Sequence, residues 1–382
     1  MSHYDDLETR SADARMAAQD AALREVAGIG LDDLPDRPVL RKSELAAMQA
    51  AQRPFGGITV GNVTHAFQSP GPIYEPGSVA SADWWRIGRF AHACGIGTMD
   101  VVQNCFGYHL TPAGHIFESG ARAVDAVVIP AGTGQTDLQV RAAKDVGATA
   151  YAGTPDYLKV ILDRADEMGV GLGFRRAAVS GGALFPALRQ AYADRGIACL
   201  QCYATADLGL IAYESEAQEG MIVDEGVIVE IVTPGTGEAV PEGEVGEVVV
   251  TSLNPDYPLV RFATGDLSAV LPGQSPCGRT NMRIKGWMGR ADQTAKVKGM
   301  FVRPEQVAAF VARHPEIRRA RVVVDRDGAM DAMTVRVEAE GGDADAWAET
   351  VAQTLKLRGT VERVDALPND GVVIEDRRDY DA

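Results

Sequence analysis

Between residues 83 and 202 the sequence alternates regularly between helix-like and strand-like segments. The predicted strands are residues 123–129, 149–152, 177–180 and 197–202, and the predicted helices are residues 84–94, 136–146, 155–168 and 186–195. Strands that are each followed by a helix need crossover connections, which are typical of a largely parallel sheet. The alternation therefore predicts an α/β fold in this part of the chain.

The rest of the chain has a different pattern. Residues 1–30 are rich in Ala, Arg and Glu and are predicted as one helix that ends near Gly28 and Gly30. After Tyr213 come short β-rich pieces, predicted at 226–232, 246–251 and 259–262. The last part contains predicted strands at 321–324, 333–338 and 360–364 and helices at 304–313 and 346–357. We expect a large domain at 1–290 and a small α+β domain at 291–382.

Charge and composition exclude several classes of protein. The formal net charge of −16 disfavours a nucleic-acid binder, which must present basic surface to phosphates. Five scattered cysteines do not make a disulfide framework in a chain of 382 residues, so a reducing compartment is expected. The start of the chain is polar and acidic, and no apolar run is long enough to span a bilayer. We expect a cytoplasmic protein without membrane association.

The segment Thr264-Gly265-Asp266 places a carboxylate after a glycine at the end of a predicted strand. A carboxylate in this position can accept hydrogen bonds from both hydroxyls of a ribose, as acidic residues do in other nucleotide-binding folds. The same residues also suit a β-turn that uses Gly-Asp for its backbone geometry. Taken alone, the segment leaves both interpretations open.

The later segments add a specific order of motifs. T-G-D is followed by C-G-R-T at 277–280, G-R-A-D at 289–292, K-V-K-G at 296–299 and a helix that begins at Pro304. This order resembles the adenylate-forming enzymes, and the phenylacetate-CoA ligases most among them. Weaker similarities lie at residues 100–107, 129–136, 154–157, 179–188 and 203–207. The resemblance covers about residues 34–310.

The resemblance implies a function and an architecture. In that family a carboxylic acid attacks ATP to give an acyl-adenylate, and coenzyme A then displaces AMP to give a thioester. The fold implied is a large α/β domain with a β subdomain and a small C-terminal domain, which rotates between the two half-reactions. The partners implied are an aryl or acyl carboxylate or a CoA thioester, and the family is often dimeric.

The family motifs also assign roles to individual residues. For nucleotide binding the matching residues are Tyr203, Thr205, Asp266 and Arg290, and for the hinge between domains Asp292. The catalytic candidates are Lys298, Asp207 and His109, and the substrate-pocket candidates are Phe106, Tyr108, Gly181 and Gly182. Asp207 stands where the family has a glutamate associated with magnesium. His109 and His115 flank a Gly-Pro loop near the aromatic pair, which suits a pocket beside the acyl group or an ordinary surface loop.

Two positions depart from the family pattern. The phosphate-binding loop corresponds to residues 68–76, where three prolines remove N–H donors and Glu75 adds negative charge. Val372 stands where the family has a catalytic lysine that stabilises charge during adenylation. Both changes weaken the expectation that ATP and Mg²⁺ are cofactors, while coenzyme A remains expected. The alternatives are an ATP-independent enzyme that hydrolyses or transfers a CoA thioester, and a non-catalytic subunit that binds CoA or a nucleotide.

Cys199 and Cys202 have the spacing of half a zinc site, but zinc needs four ligands and no matching second half is nearby in the sequence. We predict that both are buried strand residues and that the protein has no metal site of its own. Trp84 and Trp85 are predicted to belong to the core.

Overall fold

The computed structural model describes residues 3–81, 83–182, 184–233, 236–288, 291, 295–298, 300–302, 304–327, 330–368 and 372–378. The chain divides into two compact units, Met1–Gly289 and Arg290–Ala382, and each unit has its own hydrophobic core. Within the described residues, no helix combines the length and the apolar character needed to cross a lipid bilayer.

The first unit contains eight helices and fourteen strands among its described residues. The helices are α1 His3–Glu8, α2 Ala12–Ala27, α3 Lys42–Ala51, α4 Ile87–Ala93, α5 Ala113–Ala123, α6 Thr136–Val146, α7 Pro155–Glu167 and α8 Pro186–Asp194. The strands are β1 Leu40–Arg41, β2 His65–Ser69, β3 Ile73–Gly77, β4 Val101–Asn104, β5 Val127–Pro130, β6 Ala150–Gly153, β7 Arg176–Val179, β8 Ala198–Thr205, β9 Gly209–Tyr213, β10 Met221–Val223, β11 Val227–Val232, β12 Val245–Ser252, β13 Phe262–Leu271 and β14 Arg283–Ile284.

Twelve of these strands form one sheet in the described part of the unit. Its order is β11-β12-β13-β14-β10-β9-β8-β7-β6-β4-β5, with β1 beside β13. Strands β4 to β8 are all parallel, whereas β8 to β14 pair in antiparallel fashion. The predicted α/β fold with a β-rich second part is confirmed.

Local sequence signals explain where the crossover helices begin and end. Helix α7 begins with Pro155 at its first position, where the missing N–H costs no helix hydrogen bond. Helix α6 ends at Gly147, which adopts the left-handed conformation with a φ of 76° and donates its N–H back to Ala143. The predicted bounds of α6 agree with the structure at both ends.

The sheet separates two clusters of core side chains. Trp84 and Trp85 belong to the larger cluster, with exposed fractions of 7% and 2%, so their predicted core role is confirmed.

Cys202 belongs to the larger cluster, whereas Cys199 packs in the second one. Residues three apart on a strand point to opposite faces of the sheet. The two thiols therefore cannot bind the same metal ion.

The prediction of one helix over residues 1–30 is wrong. Helix α1 ends at Glu8, and α2 begins after Ser11, whose side chain accepts a hydrogen bond from the N–H of Ala14 at 3.2 Å. A serine N-cap satisfies one of the free N–H groups of a new first turn, so it favours a second helix. The end of α2 at Gly28, in the left-handed conformation, agrees with the prediction.

The predicted bounds of the strand at residues 259–262 are also wrong. Strand β13 begins at Phe262 and continues to Leu271, beyond the predicted strand. It pairs with β12 on one side and with β14 on the other. The T-G-D segment lies within these bounds, but the register with β12 shifts between Glu247 and Val249, opposite residues 264–266, and Gly265 has a φ of 74°. Asp266 therefore lies at a β-bulge inside the strand.

The second unit is a small α+β structure. Its elements are β15 Ala295–Val297, β16 Met300–Val302, α9 Pro304–Val311, β17 Ile317–Asp327, β18 Met330–Ala339, α10 Ala344–Leu355, β19 Thr360–Val364 and β20 Ile374–Asp376. Four strands form a sheet in the order β19-β18-β17-β20, and β15 pairs with β16. The core of this unit contains Phe310, Val335 and Trp347.

Candidate active site

Several predicted site residues follow the carboxyl ends of parallel strands. Phe106 and Tyr108 come after β4, Gly181 and Gly182 after β7, and Asp207 after β8. The strands are parallel, so their carboxyl ends meet at one edge of the sheet, which is where open α/β sheets bind ligands. This edge is the candidate active site.

Asp266 lies at the centre of a group of hydrogen bonds. The hydroxyl of Tyr203 donates to Asp266 Oδ2 at 2.7 Å, and the indole N–H of Trp287 donates to Asp266 Oδ1 at 3.0 Å. The carboxylate is buried, with an exposed fraction of 8% for the residue, while Trp287 is 36% exposed. Two of the predicted nucleotide-binding residues are thus brought together. Trp287 was not predicted, because a single tryptophan in a loop carries no signal of its partner.

Asp207 is held at the site by a second arrangement. The hydroxyl of Thr205 accepts a hydrogen bond from the N–H of Leu208 at 3.2 Å, which shapes the turn that carries Asp207. The ammonium group of Lys42 lies 2.9 Å from Asp207 Oδ2. Thr205, the last residue of β8, therefore stabilises the turn that follows it. Lys42 was not predicted as a site residue, because it lies 165 positions away in the chain.

The carboxyl group of Glu75 is buried near Asp207. The residue is 1% exposed, and neither of its carboxyl oxygens makes a well-formed hydrogen bond. Burial raises the pKa of Glu75 to about 7, the charge of Asp207 adds to the rise, and Ser69 and Lys42 oppose it. The hydroxyl of Tyr257 is also buried without a hydrogen-bond partner. Burial raises the pKa of this tyrosine, and the two carboxyl groups add to the rise.

The segment expected to correspond to a phosphate-binding loop is a β-hairpin. Strands β2 and β3 pair from His65 opposite Gly77 to Ser69 opposite Ile73. Of the remaining N–H groups, that of Gln68 donates to the carbonyl of Leu110 at 2.8 Å, and that of Tyr74 donates to the side chain of Gln49 at 2.8 Å. These two donors are engaged within the protein and are not free for a phosphate group.

Asp207, the residue expected at the magnesium position, presents no open carboxylate oxygen among the described side chains. Asp207 Oδ2 is paired with Lys42, and Oδ1 is buried, so the side chain is only 1% exposed. A magnesium ion keeps several waters and needs carboxylate oxygens that reach them. Among the described side chains, no three histidine, cysteine or acidic groups come together as a metal site.

The candidate substrate pocket lies around Phe106 and Gly181. A Cβ atom at Gly181 would lie 3.8 Å from the ring of Phe106 and 3.7 Å from the methyl of Thr154. Gly181 itself has a φ of 72°, which a side chain disfavours. Phe106 stacks on Phe117 at a ring distance of 4.1 Å. The absent side chain at Gly181 therefore leaves open space beside an aromatic wall.

Tyr108 and His115 are in contact with each other, whereas His109 is exposed. The hydroxyl of Tyr108 accepts a hydrogen bond from Asn104 at 2.8 Å, and its ring meets that of His115 at 5.1 Å. Burial lowers the pKa of His115, and the electrostatic interaction with nearby His65 acts in the same direction. His109 is exposed on the loop between them.

The remaining predicted residues belong to the second unit or to the segment before it. Lys298 is exposed, has a φ of 48° and donates its backbone N–H to Asp331 at 2.9 Å. Val372 is half-buried next to β20. Arg290 and Asp292 lie outside the described residues.

The C-G-R-T segment that supported the resemblance anchors the N-terminal helices. Arg279 pairs with Glu8 at 2.6 Å, and the N–H of Thr280 donates to the carbonyl of Glu8 at 2.9 Å. The hydroxyl of Thr280 accepts from Arg15 at 2.7 Å and donates to the carbonyl of Arg10. This segment is therefore a structural element of the first unit.

Replacing Thr280 with valine is expected to lower the free energy of unfolding by about 1 to 2 kcal/mol. Valine keeps the shape of threonine but leaves the partly buried donor of Arg15 and carbonyl of Arg10 without this partner. Urea unfolding of the variant measures the loss, and Thr9→Val, at an exposed position, serves as the control. An unchanged unfolding midpoint for Thr280→Val would show that the anchor contributes nothing to stability.

Comparison with known proteins finds relatives that are similar to the chain in sequence or in fold. No protein-family profile matches the chain. The phenylacetate-coenzyme A ligase of Aromatoleum evansii is 29% identical over 331 residues, which cover 81% of this chain and 74% of the relative. The enzyme of the same name from Thermus thermophilus is 29% identical over 327 residues, covering 81% and 73%.

A solved structure extends the similarity to almost the full length. The crystal structure of a 2-hydroxyisobutyryl-CoA ligase in complex with 2-HIB-AMP and CoA matches with a TM-score of 0.77 and 24% identity, over 98% of this chain and 92% of that chain. At 24% identity, this match shows that the two proteins share a fold and shows nothing more. By sequence over four fifths of its length and by fold over nearly all of it, the chain is a homologue of the phenylacetate-coenzyme A ligases with the fold of the adenylate-forming enzymes.

Proposed function

We propose that the protein is an acid-CoA ligase of the AMP-forming type, which acts on an aryl or acyl carboxylate through an acyl-adenylate and a CoA thioester. The observation that carries this proposal is the buried carboxylate of Asp266, oriented by Tyr203 at the carboxyl edge of the sheet. The relatives named phenylacetate-coenzyme A ligase support the same reaction class.

Asp266 would accept hydrogen bonds from the two ribose hydroxyls, and the hydroxyl of Tyr203 would hold the carboxylate in place for them. The hydrogen bonds from Tyr203 and Trp287 orient both oxygens of this carboxylate. In the thioester-forming step, the sulfur of coenzyme A forms a bond to the acyl carbon and its thiol proton is released to solvent. The bond from that carbon to the phosphate oxygen breaks, and AMP leaves with the electron pair.

The roles carried over from the family complete the proposal. Arg290 would contact the ribose or phosphate, Asp292 would be the hinge between the two units, and Lys298 would face the site while the thioester forms. Tyr108 and His109 would lie near the acyl group. For Arg290 and Asp292, whose positions lie outside the described residues, the proposal rests on the sequence motif alone.

A second candidate function is an ATP-independent enzyme that hydrolyses or transfers a CoA thioester. Two observations favour it: the hairpin in place of a phosphate-binding loop, and Val372 in place of the family lysine. A subunit that binds a CoA ester or a nucleotide without turnover fits the same observations.

The two candidates differ in what they release. The purified protein would be incubated with Mg-ATP, coenzyme A and a panel of aryl and acyl acids, and separately with preformed phenylacetyl-adenylate and coenzyme A. The proposed ligase gives AMP and an acyl-CoA in both assays. Thiol release from phenylacetyl-CoA in the absence of ATP would instead support the second candidate. Ligand binding without product in any of these assays would identify a non-catalytic subunit.

Replacing Gly181 with alanine is expected to lower kcat/KM for aryl acids by about tenfold while acetate and propionate are less affected. The added methyl group would fill the space beside Phe106 and would strain a backbone with a φ of 72°. Competition between phenylacetate and propionate measures the change in preference. Gly169→Ala is the matched control, because Gly169 has a similar φ of 66° and nothing lies within 4 Å of the added methyl group. An equal loss for all acids would contradict a pocket at Gly181.

A further inference from the structure

A lysine and a buried aspartate form an ion pair at the edge of the candidate site. The side chain of Lys42 is 42% exposed, whereas the side chain of Asp207 is 1% exposed. The ion pair therefore joins a partly exposed lysine to an enclosed carboxylate. An ammonium group has three donors, so those not directed at Asp207 are available to another acceptor.

The chain topology brings Lys42 to the same place as the candidate ribose carboxylate. Lys42 directly follows strand β1, in which Arg41 is in register with Ala263 of β13, three positions before Asp266. On the opposite side, Asp207 comes four positions after Tyr203, whose hydroxyl donates to Asp266. Lys42 therefore follows a strand that pairs with the strand of Asp266. Its partner Asp207 also lies close in sequence to Tyr203, which contacts Asp266.

The charges around Asp207 favour a fixed cation over a divalent metal. Asp207 and Glu75 place two carboxyl groups close together, and Lys42 supplies a positive charge to them. Asp207 offers no exposed oxygen to a hydrated magnesium ion, as described above. The positive charge that would face an anionic ligand here is therefore that of the Lys42 side chain and not that of a bound metal ion.

We propose that the ammonium group of Lys42, anchored by Asp207, binds the phosphate of the adenylate in place of a divalent metal ion. The inference rests on the proposed function, because it requires that the site accepts an adenylate. It adds that the subsite for the single phosphate of the adenylate works without magnesium.

The test compares AMP with adenosine, which differ by the phosphate alone. Isothermal titration of the full chain is expected to give the same AMP affinity in Mg²⁺ and in EDTA, and electron paramagnetic resonance with Mn²⁺ is expected to show no bound ion. Lys42→Met should weaken AMP binding about tenfold and leave adenosine binding unchanged. Lys42→Arg should retain most of the AMP affinity, because the charge is kept.

Lys159→Met is the matched control, since Lys159 also pairs with an aspartate, Asp163, but on the exposed face of α7. Unchanged adenosine binding in Lys42→Met shows that the variant is folded. Stoichiometric Mn²⁺ binding, a higher AMP affinity in Mg²⁺, or an equal effect of Lys42→Met on both ligands would overturn the inference. A wild-type protein that binds neither AMP nor adenosine would overturn the proposed function and this inference with it.

Discussion

Replacing Asp266 with asparagine is expected to weaken the binding of AMP by about a hundredfold. The carboxylate is buried and positioned by the hydroxyl of Tyr203 and the indole of Trp287, so it is already ordered before a nucleotide binds. Hydrogen bonds from ribose hydroxyls to a charged acceptor are stronger than those to an amide. Isothermal titration with AMP measures the loss.

A modified ligand provides the control for the role of Asp266. In the wild-type protein, 2′-deoxy-AMP should bind more weakly than AMP, because one ribose hydroxyl is missing. In Asp266→Asn the two ligands should bind almost equally. Tyr203→Phe should cause a smaller loss, since it removes only the group that orients the carboxylate. A persistent difference between the two ligands in Asp266→Asn would place the ribose elsewhere.

Replacing Glu75 with glutamine is expected to raise the free energy of unfolding at alkaline pH by up to about 3 kcal/mol. Burial raises the pKa of Glu75 from 4.5 to about 7 in the folded protein. The folded state therefore holds a proton that the unfolded state releases. The resulting stabilisation is fully present below the unfolded pKa and is lost as the pH rises through about 7. Glutamine has no charge to bury, so its contribution does not change over this range.

Urea unfolding across this pH range measures the effect of Glu75→Gln. The difference between the variant and the wild-type protein should be small at roughly pH 5 and reach its maximum at roughly pH 8.5. Glu25→Gln, an exposed substitution on α2, should show no such dependence. A constant difference between Glu75→Gln and the wild-type protein at all pH values would mean that Glu75 does not gain a proton on folding.

The sequence predicted those parts of the fold that depend on local pattern. The alternation of strands and helices gave the parallel half of the sheet, and helix α6 and strand β19 have the predicted bounds. Local pattern failed where distant segments decide the outcome. The N-terminal helix is interrupted at residues 9–11, and the carbonyl of Arg10 in this break accepts from Thr280.

The sequence also identified the most characteristic residues of the candidate site. Asp266 and Tyr203 were expected from the order of motifs, and the structure places them in direct contact. Residues without a motif were missed. Trp287 lies beside Gly286 in a loop, and Lys42 is the first residue of an ordinary helix, so neither has a local signal of its function.

The amino-acid sequence by itself determined the class of fold, the alternation of strands and helices between residues 123 and 202, and which loops follow the carboxyl ends of those parallel strands. These properties arise from periodicity and turn residues, which act over a few positions of the chain. Only the tertiary structure decided that Lys42 pairs with Asp207, that Trp287 reaches Asp266, and that Glu75 is buried. Such contacts depend on strand order and register between segments far apart in the chain, and local residue patterns do not encode them.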